Sequence, residues 1–426
     1  MVLAPYRRSP RSRAALAAST VGLAALVACG GPTNETASVG ISCETTAPGV
    51  TATEVKIGLL HDDSGPSAEA MRAFRGGVDA RLGVTNEEDG GVFGRTVTYA
   101  WRDDQADPSI NLQAARQLVT DENVFGIIEA PGAEAGSAEW LHQQGVPVTG
   151  LASDRLWTRY DNMFSWFYLG EGSVTTWGDF IRSRGGTRAA VFAISGNEAN
   201  FDFSRQFKAS LLETGVEIIN IFEVAGTTNY VNIAQQIKAS GVDTIAGVLL
   251  PDAAAELLPA LRDAGVRPKV VMMPLGYDQN VLARYGQQLA GTVIYSAVKP
   301  FELNTTEQQA MLTAMTTYAP QAKPPQQDSA VDGYVAADLL LRGLREAGAC
   351  PTRESFINAL RAVNDYNGAG LIPHSVDLST NRNKISVCYS FVQVGTDGQR
   401  FVPLSEDATC GQEITSQKMD QLLSNP

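Results

Sequence analysis

Histidine is scarce in this chain. Only His61, His142 and His374 occur in 426 residues, and they lie far apart. No H-E-x-x-H pair, no G-x-S-x-G elbow and no Walker loop is present. An assembled nucleophile, a zinc-protease site and a phosphate cradle therefore have no sequence support. Basic charge is also in deficit: 33 Lys and Arg stand against 46 Asp and Glu, for a net charge of −13. So acidic a surface argues against a nucleic-acid partner and against adhesion to anionic lipid headgroups. The five cysteines form no C-x-x-C pair, which disfavours zinc. Neither a cofactor nor a metal is expected. After the first thirty residues no window of 18 apolar residues occurs, so nothing further along should span a bilayer.

What is present begins with "ALAASTVGLAALVACGG", Ala15 to Gly31, preceded by Arg7, Arg8, Arg11 and Arg13 and by no acid before Glu35. A basic start, an apolar run of roughly 14 residues and small residues at its end make a secretory signal. Leu26-Val27-Ala28-Cys29 resembles the lipobox of bacterial lipoproteins. The resemblance implies removal of residues 1–28, a diacylglycerol on the Cys29 thiol and an extracytoplasmic, membrane-anchored protein. Arg7-Arg8 also hints at twin-arginine export, but "RRSPRS" lacks the apolar residue such signals carry. Loss of the four signal arginines takes the net charge from −13 to −17, so membrane attachment must come from the lipid.

Cys43, Cys350, Cys388 and Cys410 remain. An even number in an exported chain suggests two disulfides. Of the three connectivities, Cys43–Cys410 with Cys350–Cys388 is expected, because Cys43 and Cys410 both lie in polar tails that a bridge would tie together.

Residues 29–50 are rich in Gly, Pro, Ser and Thr, the composition of a tether. From "EVKIGLL" onward the chain alternates. "VKIGLL", "TVTYAWRDD", "VFGIIEA" and "VPVTGLA" read as strands, with helical spacing between them. "AAVFAIS", "EIINIFEVA", "TIAGVLL", "VVMMPLG" and "GTVIYSAV" make a second series, separated by helices over 201–214, 230–240 and 253–264. Such alternation predicts β–α–β units and parallel sheets. Two series predict two α/β lobes, and the length of the chain agrees. Helical patterns over 328–348 and 352–363 come after the second series, and "KISVCYSFVQV" then alternates like a half-buried antiparallel strand.

"VKIGLL…SGP", "GGVFGRTVTYAWRDDQADPSINLQAARQLVTDENVFGIIEAPG", "QQGVPVTGLAS" and "LLETGVEIINIFEVAGTTNYVNIAQQIKASGVDTIAGVLLPDAAAELLPALRDAG" resemble the leucine/branched-chain amino-acid type of periplasmic binding protein. The likeness covers about residues 54–400, carried by the ordered series and not by one motif. It implies the type I fold: two Rossmann-like lobes with parallel sheets, joined by three crossovers near Tyr168–Glu171, Val298–Phe301 and Asn367–Leu371. Lobe I would comprise 51–170 and 301–370, lobe II 171–300 and 371–405, and 406–426 would be a C-terminal tail. It further implies a monomeric solute receptor of an ABC importer, without enzymatic activity, whose partners are a small molecule and the permease and ATPase subunits. A ligand-sensing lipoprotein that signals to a membrane partner is the alternative, and an exported enzyme a weaker one.

Ligands of open parallel sheets bind outside the carboxyl ends of the strands. That rule selects Ser64; Ala133 and Glu134; Ala152, Ser153 and Asp154; Asn200 and Phe201; Leu250 and Asp252; Leu275, Tyr277 and Asp278; and Phe301 at a crossover. The resemblance assigns Ala152-Ser153 to the ligand carboxylate. It lacks its usual serine in "APGAEA", has Asn200 and Phe201 where a tyrosine is usual, and has Leu275 where an acid pairs the ligand ammonium. Asp278 or Asp252 could substitute for that acid. The expected ligand is thus no free α-amino acid. Its anionic or polar end would meet Ser153 and the N–H groups of "APGAEA", and its apolar body would meet Leu250, Leu275 and Phe201. Asp62-Asp63 reads as a solvated loop, Asp103-Asp104 as a cap of the next helix or a sheet-edge pair, and Trp157, Trp166, Phe167 and Tyr168 as core and crossover packing. "GEGSVT" (170–175) reads as a turn into a helix. Cys29→Ser should leave an unprocessed, unlipidated precursor, seen as slower migration on a gel and loss of metabolic labelling with palmitate.

Overall fold

The computed structural model describes Cys43 and residues 47–65, 68–194 and 198–424; Cys29 lies outside them. The first series runs β1 (Glu54–His61), α1 (Ala68–Met71), α2 (Phe74–Gly83), β2 (Thr96–Asp103), α3 (Pro108–Arg116), β3 (Ile127–Glu129), α4 (Ala138–Gln143), β4 (Val148–Gly150) and β5 (Met163–Phe164). Its five strands pair in the order β2-β1-β3-β4-β5, all parallel. Val55, Ile57, Leu59 and Leu60 of β1 are all buried, as a strand covered on both faces requires. Pro108 opens α3, and Asp107, not Asp103 or Asp104, caps it by accepting from the N–H groups of Ser109 and Ile110.

The second series runs β6 (Ser173–Val174), α5 (Thr176–Ser183), β7 (Arg188–Ile194), α6 (Glu198–Glu213), β8 (Glu217–Val224), α7 (Tyr230–Ser240), β9 (Thr244–Gly247), α8 (Pro251–Asp263), β10 (Val270–Met273), α9 (Gln279–Leu289) and β11 (Val293–Ser296). Strands β8-β7-β9-β10-β11 repeat the winding of the first sheet. After α10 (Thr306–Tyr318), α11 (Asp328–Glu346) and α12 (Arg353–Arg361), β12 (Cys388–Val394) and β13 (Phe401–Pro403) extend this sheet with antiparallel pairings.

The late helices cover the first sheet. Thr149 on β4 donates to the Ala336 carbonyl of α11 at 2.9 Å. Helix α11 is buried along nearly its whole length and lies against α2. Two glycines permit the approach. A Cβ on Gly333 would stand 1.9 Å from the Phe74 carbonyl oxygen, and one on Gly77 2.0 Å from that of Ala330. Arg81 of α2 donates to Asp338 of α11 at 2.9 Å and to Thr85 at 2.8 Å, so this buried guanidinium is paired.

The disulfides are Cys43–Cys350 and Cys388–Cys410, which corrects the pairing expected from the tails. The two tails belong to different sheets. Residues 49–51 run beside β1 and Arg95, and Arg95 also donates to the Ala349 carbonyl, which brings Cys43 to the end of α11. Cys410 lies on β14 (Thr409–Cys410), directly opposite Cys388 of β12. The carboxyl end is built into the second body: β15 (Glu413–Ile414) pairs with β6, and Met419 of α13 (Ser416–Ser424) packs with Ile414 and Ala209. Trp157, Trp166 and Tyr168 are buried, Phe167 half-buried. Gly333→Ala should force α2 and α11 apart and cost about 2–3 kcal/mol, visible as a lower thermal midpoint.

Candidate functional site

In a sheet wound 2-1-3-4-5, the crevice lies outside the carboxyl ends of the first and third strands. Here these are β1 and β3 in one sheet and β7 and β9 in the other.

The first wall is acidic. The loop after β1 is held by Asp103, which accepts from the N–H groups of Asp63 and Ser64 and, at 2.6 Å, from the Ser64 hydroxyl. Ser64 is thus committed to its own wall. Asp62 turns inward and is only 2% exposed, unlike the solvated loop residue expected. Neither of its carboxyl oxygens has a hydrogen-bond partner among the described residues. Burial, reinforced by the charges of Asp104, Asp103 and Glu134, pushes its carboxyl up to about 7. The Asn111 amide donates to both Asp104 (2.9 Å) and Glu129 (2.8 Å). Burial and then Glu134 hold the Glu129 carboxyl well above the usual carboxylate range.

Glu134 changes the role expected of Ser153. Its carboxylate accepts from the Gly132 N–H at 2.8 Å, the Ser153 hydroxyl at 3.3 Å and the Trp157 indole N–H at 3.2 Å. Burial pushes it up to about 6. The Ser153 hydroxyl and the Gly132 N–H, both expected to meet an anionic ligand end, thus have an internal carboxylate as partner. Ala133 and Ala152 are buried, and Asp154 accepts from the Leu156 N–H at 2.8 Å in a local turn.

The second wall divides. Leu250, the residue before α8, is 39% exposed, and Leu275 is half-buried. Asp252 sits exposed in the first turn of α8. Asp278 caps α9 by accepting from the Asn280 N–H at 2.6 Å, so its carboxylate has a structural task. Tyr277 and Phe301 are core residues: their rings meet at 5.5 Å, and the tyrosine hydroxyl donates to Glu302. The side chains of Asn200 and Phe201 lie outside the described residues.

Among the described residues, an ion pair joins the walls. Arg155, which follows β4 of the first sheet, meets Asp202 of α6 in the second, with Nε 2.8 Å from Oδ2. A cavity of about 430 Å³ opens beside the end of β1, lined by His61, Asp63, Arg72, Arg75, Lys323 and Gln327 among others. Among the described residues, no group of three acids, histidines or cysteines is arranged to hold a metal ion, and no helix is long and apolar enough to cross a membrane.

Sequence reasoning missed Asp62, Asp104, Glu129, Arg155 and Asp202 as a constellation. One signal was visible: Glu129 closes the apolar run "GII" in a strand that reads as wholly buried.

The chain belongs to the periplasmic binding protein family, whose sequence model matches residues 54–399. It is 29% identical over 210 residues to a Leu/Ile/Val-binding protein homolog of Brucella suis biovar 1, a match over 46% of this chain and 51% of that one. The chain spans about half the length of the curated relatives it matches. Among solved structures, a fatty acid ABC transporter substrate-binding protein from Thermomonospora curvata superposes with a TM-score of 0.69 at 18% identity, over 90% of this chain and 96% of that one. An R. palustris solute-binding protein in complex with 4-hydroxybenzoate gives 0.69 at 21% identity, over 84% and 98%. These likenesses establish the type I fold of two parallel-sheet lobes.

The raised carboxyls predict a pH-dependent stability. Asp62 and Glu134 bind protons more tightly folded than unfolded, so their contribution is complete below about pH 4 and is lost as pH rises through about 6 to 7. Differential scanning calorimetry of the ligand-free protein should show a thermal midpoint falling by a few degrees, on the order of 2–4 °C, between pH 5 and pH 8. Asp62→Asn should flatten that slope.

Proposed function

We propose that this protein is the extracytoplasmic solute-binding lipoprotein of an ABC importer, held to the membrane by a lipid on Cys29, with the crevice between its sheets as the ligand site. Family membership and the names of the relatives support this reading. The observation that carries it is the pair of identically wound sheets whose strand ends are bridged by Arg155–Asp202. Tyr168–Glu171, Val298–Phe301 and Asn367–Leu371 serve as hinge strands, between lobe I (51–170, 301–370) and lobe II (171–300, 371–405).

A ligand that touches both walls stabilises the closed form by what it gains there and lacks in the open form. A micromolar dissociation constant corresponds to about −8 kcal/mol. The permease and ATPase subunits then read the closed surface. Arg155–Asp202 gives closure an electrostatic component that weakens with salt.

The ligand is not a standard α-amino acid. Leu275 offers no charge to an ammonium, Asp278 is spent on a helix cap, and Ser153 faces Glu134 instead of an empty anion site. Ligands are found by thermal shift, because binding to the native state raises its melting temperature. Leucine, valine and glutamate at millimolar concentration should leave the midpoint unmoved, whereas some other small organic solute should raise it. A submicromolar affinity for leucine by calorimetry would overturn the amino-acid exclusion.

A further inference from the structure

The first wall holds a buried acid with no partner. Asp62 follows directly on β1, is 2% exposed, and neither of its carboxyl oxygens meets a donor from another described residue. The charges that act on it most strongly, Asp104, Asp103 and Glu134, are all negative. Asp104 and Glu129 are at least tied to Asn111, Asp103 to Ser64, and Glu134 to Gly132, Ser153 and Trp157. Asp62 has no such tie to another residue; the one hydrogen bond that favours its charged form comes from its own backbone. A buried carboxylate must find a cation or donor, or else take up a proton. Arg155, the cation that follows β4, is engaged with Asp202. No three of these acids are arranged as a metal site.

Resting on the solute-binding reading above, we propose that Asp62 receives the cationic N–H end of the ligand, and that the solute is a small organic cation (an ammonium, amidinium or guanidinium) with an apolar body and no carboxylate. The chemistry is one of replacement. When the crevice is empty, burial and the neighbouring acids favour the protonated form of Asp62. When ligand enters, its positive N–H group takes the proton's place and gains the charge-assisted hydrogen bonds that the acid lacks. Glu134 and Asp104 behind it deepen the negative potential and repel a carboxylate such as benzoate. Leu250, exposed on the opposite wall, and the half-buried Leu275 suit the apolar end. The net charge of the chain draws cations toward the protein as a whole.

Two consequences separate this proposal from a merely acidic surface. Cation affinity should rise between pH 6 and pH 8, as Asp62 gives up its proton; the ionisable groups that surround it are His61, Asp103, Asp104, Glu129 and Glu134. Asp62→Asn keeps the shape and removes the charge, so it should fold.

The test is calorimetry of the mature protein with matched compounds that share a body and differ only in the polar end. Butyl, cyclohexyl and benzyl bodies are each carried as amine, amidine, primary amide and carboxylate, with leucine alongside. The expected result is that amines or amidines of at least one body bind tenfold or more tightly than the corresponding amide and acid. Their affinity increases at least fivefold from pH 6 to pH 8, and Asp62→Asn removes both the preference and the pH dependence. Tighter binding of a carboxylate, an amide or leucine would overturn the cation assignment and leave the solute-binding reading standing. Cation preference unchanged in Asp62→Asn would overturn the role of Asp62. Absence of binding by all of these compounds would overturn the proposal, while a midpoint shift with a wider solute library would still uphold the receptor reading.

Discussion

Right-handed β–α–β crossovers deliver every parallel strand to the same edge of its sheet, and each strand end is followed by a loop that must leave the apolar layer there. In this chain that constraint operates twice, through two sheets wound alike. It decides where polar side chains can be gathered without breaking either core. Asp62 follows β1, Asp104 follows β2, Glu129 ends β3 and Arg155 follows β4, so residues spread over about ninety positions meet at one rim. The buried length of α11 serves the same end from behind. By pressing on α2 through Gly77 and Gly333 it closes the far face of the first sheet.

The electrostatics of the rim follow from its position. Carboxyls at strand ends are flanked by apolar layers, and burial is the first cause of the rise in Asp62, Asp104, Glu129 and Glu134 alike. Neighbouring carboxylates add to it, Asp104 and Glu134 acting on both Asp62 and Glu129. The protein answers with neutral donors: the Asn111 amide, the Ser153 hydroxyl, the Trp157 indole and the Gly132 N–H. Such donors orient carboxyls without cancelling their charge, so the wall stays negative or protonated. Where a counter-ion does appear, at Arg155, it faces the other sheet.

The fold was legible because its signals are local and repeated. Apolar runs of strand length and helices such as 230–240 report their own segments, and α7 matches; of "KISVCYSFVQV", the antiparallel pairing holds, but β12 spans only Cys388–Val394 and is buried at five of its seven residues rather than alternating. The site was legible only as a set of loops. Which residue of "HDDSGP" turns inward depends on the hydrogen bonds of Asp103, forty residues away, and nothing in the hexapeptide marks Asp62 over Asp63. Glu134 was found for its position but not for its occupation of Ser153. The disulfides failed for a related reason: similar composition in the two tails hid the fact that one edges the first sheet and the other closes the second.

The pairing Cys43–Cys350 governs how tension would travel through the molecule. A pull on the amino-terminal segment does not reach β1 through the peptide chain alone. At Cys43 it divides, and part of the load passes to Cys350, between the end of α11 and the start of α12. The force then spreads along the helical layer behind the first sheet, away from the rim where Asp62 and Asp104 stand. The second sheet has its own link, Cys388–Cys410, and no covalent bridge among the described residues joins the two bodies other than the chain itself. A load applied at the leading end would therefore enter the first sheet and its helical layer before it reached the second sheet.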